Sequence, residues 1–268
     1  MRIITYGPLL LVVLLVGVLL TNSPAGADIV APGWVDYTGA EYANTWSNSQ
    51  VTRSLPFDFS FYGGAWVTNE VILQSNGYLG FGPYLNNLDD PPAWPYATWQ
   101  EQRSRIAAPL WHDFNPSASS NSRIYYQTVG SGNERRFVVT WDAYADAAET
   151  ERNIFQAQLH EATGQIQYSY HTISGVDGAR VGVNYGDGVE YTGFWYDGAQ
   201  NYDGGGLHNA NQQGPTGSLE GWSIYYDFNP ATGSYEATSQ YIPEPGTMAL
   251  LLVGIGAGAA LKRRRTAA

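Results

Sequence analysis

Four histidines, His112, His160, His171 and His208, are the side chains of this sequence best suited to bind a metal or to transfer protons near neutral pH. No two of them have the H-x-x-x-H spacing that places a pair of zinc ligands on one helix face. His160 and His171 fall on opposite arms of one predicted hairpin and could approach each other across the strands. A zinc site needs a third ligand that this pattern does not supply, so we interpret them as a surface pair. The sequence has no Cys, which excludes thiol catalysis and cysteine-ligated metals.

Acidic residues in glycine-rich stretches are candidate calcium ligands. Asp187, Asp197 and Asp203 lie in such stretches, and oxygen ligands on loops suit calcium. The twelve residues from Asp197 to His208 lack the acidic spacing of an EF-hand loop and end in His instead of Glu. Asp-Gly pairs also form ordinary turns, so turn formation is the alternative. The sequence indicates no cofactor other than this possible calcium.

Three aromatic residues occupy a proline-rich stretch, "PPAWPYATWQ", and are candidates for ligand binding. Trp94, Tyr96 and Trp99 have rings of the kind that stack on sugars or anchor protein contacts. The alternative is that they cap an open end of the fold, since large aromatic side chains are mostly buried.

No catalytic motif is present in the sequence. It has neither a G-x-S-x-G nucleophile motif nor a glycine-rich phosphate-binding loop. A glycosidase needs two carboxyl groups at a set separation in a cleft, and sequence alone does not define such a pair. We therefore expect that the protein is not an enzyme.

The elements that must position these residues are predicted to be short β-strands. Alternation of period two is common, and no stretch of the body sustains helical periodicity. In "NIFQAQLHEATGQIQYSYHTI", Phe155 and Leu159 alternate with Gln156, and Thr163-Gly164 provides a turn. Gln156 is expected to face solvent, so that Gln156→Ala should cost less than about 1 kcal/mol. Many such strands separated by turns predict an all-β antiparallel β-sandwich.

Further strands are predicted in "LPFDFSFYG", "RRFVVTWDAY", "ARVGVNYGDGVEYTGFWY" and "GWSIYYDF". The third of these is a hairpin that turns at residues 186–188. Two irregular stretches, 84–105 and 196–221, are rich in Pro or in Gly and Asn. Both are predicted to be long surface loops, and such loops are often functional.

The N-terminus has the composition of a secretory signal peptide. Arg2 precedes an apolar run from Leu9 to Leu20, and Ala25-Gly26-Ala27 forms an A-x-A cleavage site. We expect cleavage after Ala27, because the run is short for a membrane span. Residues 28–245 then carry eight Arg, no Lys and all 24 acidic residues, a net charge of −16. This charge argues against nucleic acid and anionic lipid as partners.

The C-terminus combines Pro243-Glu244-Pro245-Gly246, an apolar run over 247–261 and the basic cluster Lys262-Arg263-Arg264-Arg265. As a helix, the run would be about 22 Å long, shorter than the hydrocarbon layer of about 30 Å. The basic cluster is expected to stay in the cytoplasm. The pattern indicates a transient hold at the inner membrane, and a permanent single-pass anchor is the alternative.

Several stretches resemble, in order, the nidogen-like extracellular domain. These are "LPFDFSFYGGAWVTNEVILQSNGYLGFG", "RIAAPLWHDFNPS", "RIYYQTV", "FVVTWDAY", "NIFQAQL", "IQYSYHTI" and "ARVGVNYGDG". The resemblance covers roughly residues 53–195. It implies an extracellular module associated with cell–matrix adhesion and provides no catalytic residues.

The C-terminal pattern resembles the PEP-CTERM sorting signal of Gram-negative bacteria. The resemblance implies that an exosortase-type enzyme recognises residues 243–246 and processes the protein at the cell envelope. The expected organisation is a signal peptide (1–27), a β-sandwich body (28–240) and a sorting tail (241–268) with a hydrophobic helix at about 247–261.

Together these features predict an exported cell-surface or extracellular-matrix protein with an adhesive or structural role. A lectin-like module that binds polysaccharide is the alternative, and a glycan hydrolase is a more distant one. The expected partners are the exosortase-type enzyme and an exopolysaccharide or cell-surface matrix, without nucleic acid.

Overall fold

The computed structural model describes residues 31–43, 49–82, 105–116, 122–145, 148–186, 191–196, 201–202 and 217–241. These ranges all belong to one compact unit, Val30–Ile242. The predicted signal peptide, its cleavage residues Ala25 and Ala27, and the sorting tail with its helix at 247–261 lie outside the described residues. Within the described ranges, no helix has the length and apolar character needed to cross a membrane.

The described residues form an all-β fold of two antiparallel sheets, as the alternation predicts. Sheet 1 has the strand order β1-β6-β7-β8-β9-β13-β14. Its strands are β1 (Glu41–Ala43), β6 (Arg123–Val129), β7 (Arg136–Tyr144), β8 (Arg152–His160), β9 (Ile166–Thr172), β13 (Trp222–Asn229) and β14 (Ser234–Tyr241). Most neighbours in this sheet are also neighbours in sequence, so short turns join them.

Sheet 2 has the strand order β12-β11-β10-β5-β4-β3-β2. Its strands are β2 (Gln50–Phe61), β3 (Trp66–Gln74), β4 (Tyr78–Gly80), β5 (Ile106–Trp111), β10 (Ala179–Asn184), β11 (Tyr191–Tyr196) and β12 (Asn201–Tyr202). The chain therefore crosses from sheet 2 to sheet 1 after β5 and returns after β9, which gives a sandwich-like arrangement.

The predicted hairpin of residues 153–173 is confirmed as β8 and β9. Leu159 pairs with Ile166 and Phe155 with Tyr170, and Gly164 takes the positive φ of 67° that the turn requires. The strands predicted around Phe57, Val139, Val181 and Ile224 are also confirmed. Alternation identified these strands because every second side chain enters the core.

The core lies between the two sheets and is built from both. Trp141 on β7 stacks on Phe155 of β8, with ring centroids 5.3 Å apart and planes 9° apart. Its indole N–H donates a hydrogen bond of 2.8 Å to the carbonyl oxygen of Gln74 on β3. Phe114, which follows β5, packs on Phe155 at 5.4 Å. Trp141 thereby connects the sheets by both packing and hydrogen bonding.

The other side of sheet 1 is covered by an N-terminal strap, residues 31–38, which was not predicted. Gln156 is fully buried, so its predicted exposure to solvent is wrong. The Gln156 amide donates to the Val35 carbonyl oxygen at 2.6 Å and accepts from the Val35 N–H at 3.1 Å. It also donates to the Thr140 hydroxyl at 3.0 Å. The side chain faces away from the core, as alternation requires, but meets the strap instead of water.

Other uncharged polar side chains hold the strap along its length. Gln158 donates to the Gly33 carbonyl oxygen at 2.9 Å. Gln167 and Ser223 donate to the Pro32 carbonyl oxygen at 2.9 and 2.6 Å. Gly33 has φ of 69°, and a Cβ there would lie 2.6 Å from the Gln167 amide nitrogen. A residue without a side chain therefore allows the strap to approach the sheet this closely.

An ion pair anchors the end of the strap. Asp142 on β7 is buried and accepts two hydrogen bonds from Arg152, at 2.8 and 2.7 Å. The Tyr37 hydroxyl donates to the same carboxylate at 3.2 Å. Burial and the negative charge of Asp142 raise the pKa of Tyr37, because both disfavour a phenolate. The hydroxyl therefore remains a donor to Asp142 at physiological pH.

Candidate functional site

A cleft of about 260 Å³ lies along β3. It is lined by alternate residues of that strand, Trp66, Thr68, Glu70 and Ile72, together with Thr52 of β2 and Gly82 after β4. Alternate residues of one strand point to the same side, which explains why four residues of β3 share the cleft. The lining combines an aromatic ring, two hydroxyls and one carboxylate.

Arginine 105 stacks on the aromatic residues beside this cleft. The Arg105 guanidinium lies 4.1 Å from the centroid of the Trp66 ring and 5.0 Å from that of Tyr185. A guanidinium over an aromatic face is a favourable cation–π contact. The Trp66 indole N–H is buried and has no hydrogen-bond partner among the described residues. The indole ring is therefore held by stacking and packing, and Arg105 provides the stacked guanidinium.

Glu70 is the acidic group of the cleft. It lies on the exposed part of β3, and its backbone N–H donates a hydrogen bond of 3.0 Å to the Thr68 hydroxyl oxygen. The same hydroxyl donates to the Glu70 carbonyl oxygen at 2.9 Å. These two bonds lie where the pairing of β2 and β3 is irregular, between Ser54 and Phe59. They fix the backbone from which the Glu70 carboxylate projects.

The described residues that flank the aromatic stretch lie beside the cleft. Gly82 lines the cleft, and Arg105 stacks on Trp66. The Phe81 N–H donates to the Arg105 carbonyl oxygen at 2.9 Å, so the two flanks of residues 83–104 are joined by a backbone hydrogen bond. Trp94, Tyr96 and Trp99 belong to that segment and lie outside the described residues.

The other predicted site residues also lie outside the part of the chain that the structure describes. These are the calcium candidates Asp187, Asp197 and Asp203 and the sorting-motif residues Pro243, Glu244, Pro245, Gly246, Lys262, Arg263, Arg264 and Arg265. Their roles stay predictions. Within the described ranges, no three His, Asp or Glu side chains are grouped so that they could hold a metal ion.

The register of β8 and β9 separates the two hairpin histidines. Leu159 pairs with Ile166, and Ile154 with Thr172, so His160 and His171 lie at opposite ends of the hairpin. The expectation that they could approach across the strands is therefore wrong. Burial lowers the pKa of His160 and of His112, because desolvation disfavours the imidazolium form. His171 instead packs against Trp34 of the strap, with ring centroids 5.3 Å apart.

The cleft was not predicted from the sequence, although the alternation of residue types along β3 indicates a polar surface there. In "WVTNEVIL", Trp66, Thr68 and Glu70 alternate with Val67 and Asn69. An aromatic ring, a hydroxyl and a carboxylate on one side of a strand form a polar surface that has no role in a core. Arg105 and Tyr185 are distant in sequence and join Trp66 only through the fold.

The body of the chain matches a known protein family. A family model described as "NIDO related" matches residues 31–203. The match begins at the strap and includes the stretch 53–195, so it supports the nidogen-like resemblance inferred from the motifs. No solved structure matches the chain.

Proposed function

The chain belongs to the NIDO-related family, and on this premise we propose that it is an exported cell-surface or extracellular-matrix protein with an adhesive or structural role. NIDO-related domains are typically extracellular. The observation that carries the proposal is the family match over residues 31–203. The excess of acidic residues, 24 against 13 basic ones in the whole chain, agrees with a soluble domain that avoids nucleic acid.

The proposed role is binding and contains no catalytic step. The described cleft holds one carboxylate, Glu70, among its lining residues, whereas glycoside hydrolysis ordinarily uses a pair. A polysaccharide-binding, lectin-like module is the second candidate. The cleft favours it, since an aromatic ring beside polar groups is a common sugar-binding arrangement.

The adhesive role is tested in the producing cells by deletion of the gene and complementation with the full chain. We expect washed cells of the deletion strain to retain less matrix polysaccharide and to aggregate less, and complementation to restore both. Unchanged retention and aggregation in the deletion strain would contradict the proposed role. Release of reducing sugar by the purified protein would instead favour the glycan-hydrolase reading.

The sorting tail supports a route to the surface. We propose that an exosortase-type enzyme processes the chain at Pro243-Glu244-Pro245-Gly246 after a transient hold at the inner membrane. The apolar run 247–261 is short for a stable span, and the basic cluster 262–265 favours a cytoplasmic end.

Removal of the signal peptide and the sorting tail predicts the mass of the mature protein. The mature surface form should begin at Asp28 and end near Pro245, because cleavage after Ala27 and at the sorting motif removes both apolar segments. Intact-mass measurement of protein extracted from the cell surface checks this result. Retention of Lys262 to Arg265 in the mature pool would show a permanent anchor instead.

A further inference from the structure

We propose that the cleft along β3 binds a single neutral sugar ring of a matrix polysaccharide, with Trp66 and Glu70 as the contacting side chains. The inference rests on the proposed surface role and names the ligand class and the site. Trp66 is partly exposed and lines a cleft of about 260 Å³. That space suits one ring of a chain and not a folded protein segment.

The residue types determine the ligand class. The apolar C–H face of a pyranose ring packs favourably on an indole ring, and Trp66 provides that ring. A carboxylate accepts hydrogen bonds only, so exposed Glu70 can accept from two neighbouring sugar hydroxyls. Hydrogen bonds to a charged acceptor are the stronger kind. Thr52 and Thr68 also line the cleft and add hydroxyl groups near the ring.

The negative charge of Glu70 and of the whole chain favours a neutral sugar over an anionic ligand. A phosphate or uronate would meet the Glu70 carboxylate within the cleft and an acidic protein outside it, and like charges repel. The Arg105 guanidinium, 4.1 and 5.0 Å from the Trp66 and Tyr185 ring centroids, adds one positive charge beside the cleft, against Glu70 and a chain with 24 acidic and 13 basic residues. A neutral polyhydroxylated ring satisfies the carboxylate without this repulsion.

Arg105 acts as a positioning residue for the indole ring. Gly82 also lies close to the ring, since a Cβ there would lie 3.5 Å from Cζ2 of Trp66. Gly82 has φ of 122°, which a residue with a side chain rarely adopts. Stacking by the Arg105 side chain therefore holds the ring in place before a ligand arrives.

The test uses the protein extracted from the cell surface and two kinds of probe. The first probes are the methyl glycosides of glucose, galactose and mannose, measured one at a time by saturation-transfer NMR. The second is the protease-treated polysaccharide of the producing cells, measured by affinity electrophoresis. Protease treatment distinguishes a polysaccharide from a glycan carried on a protein.

Glu70→Gln removes the charge at an exposed position and should leave the fold intact. We expect it to weaken retention on the polysaccharide by about tenfold, the loss of a charged hydrogen bond. Asp58→Asn is the matched control, because Asp58 is exposed on β2 and does not line the cleft. Trp66→Phe keeps an aromatic side chain in the packing and should also weaken retention, with the melting temperature as the check on folding.

The inference is overturned if none of the probes binds the wild-type protein, or if Glu70→Gln and Trp66→Phe bind as tightly as Asp58→Asn. Its failure is distinct from failure of the surface role. If the deletion strain loses matrix and the Glu70→Gln chain restores it fully, the surface role stands and this site is wrong. If the deletion strain keeps its matrix while the purified protein binds the probes, the site stands and the role is wrong.

Discussion

Phe155→Ala should lower the free energy of unfolding by about 3–5 kcal/mol, the range for removing a buried aromatic side chain. Phe155 is fully buried and lies between Trp141 and Phe114, at centroid distances of 5.3 and 5.4 Å. The substitution therefore removes the ring on which Trp141 stacks and leaves a cavity between the two sheets. Denaturant titration followed by tryptophan fluorescence measures the change.

The control for Phe155→Ala is Val67→Ala. Val67 is an apolar residue of β3 with 53% of its surface exposed, and truncation of such a residue usually changes stability by less than about 0.5 kcal/mol. Equal losses in the two variants would show that the assignment of Phe155 to the core is wrong.

Gln156→Ala should lower the free energy of unfolding by about 2–3 kcal/mol. The substitution removes the two hydrogen bonds to the backbone of Val35, at 2.6 and 3.1 Å, and the bond to Thr140 at 3.0 Å. A buried polar group that loses its partner costs about 1–3 kcal/mol. The expected cost is smaller than the sum over the three lost hydrogen bonds, because Val35 is only partly buried. Water can therefore replace some of the lost bonds.

Gln240→Ala is the matched control for the strap. Gln240 is exposed on β14, so its truncation should change stability by less than about 0.5 kcal/mol. Hydrogen exchange at the Val35 amide should accelerate in Gln156→Ala and remain unchanged in Gln240→Ala. A Gln156→Ala protein as stable as the control, with Val35 protected as before, would mean that the strap is held without this side chain.

Gln156→Glu tests the acceptor role of the Gln156 amide oxygen separately from the donor role of its nitrogen. The carboxylate can still accept from the Val35 N–H, but it cannot donate to the Val35 carbonyl oxygen and it buries a charge. We expect this variant to be at least as destabilised as Gln156→Ala at neutral pH. A variant of wild-type stability would contradict the donor role of the amide nitrogen.

The sequence by itself determined several strands, among them β2, β7, β8 and β9, and the side of each that enters the core. Phe155 and Leu159, or Phe59 and Phe61, recur at every second position, and burial of one face of a sheet requires that period. The order of the motifs also indicated the nidogen-like body, which the family match over residues 31–203 supports. These features are local or sequential, so they can be identified without knowing which strands are neighbours.

Only the tertiary structure decided what covers the other face of sheet 1 and which residues form the cleft along β3. Alternation directs Gln156 away from the core but cannot show that the strap, 121 residues away in sequence, provides its partner at Val35. Uncharged Gln and Ser side chains at these positions were compatible with either water or a backbone partner. The cleft has the same origin, since Trp66, Arg105 and Tyr185 meet through the pairing of separate segments. Contacts between distant segments depend on strand order and register, and a single sequence does not encode either in its local pattern.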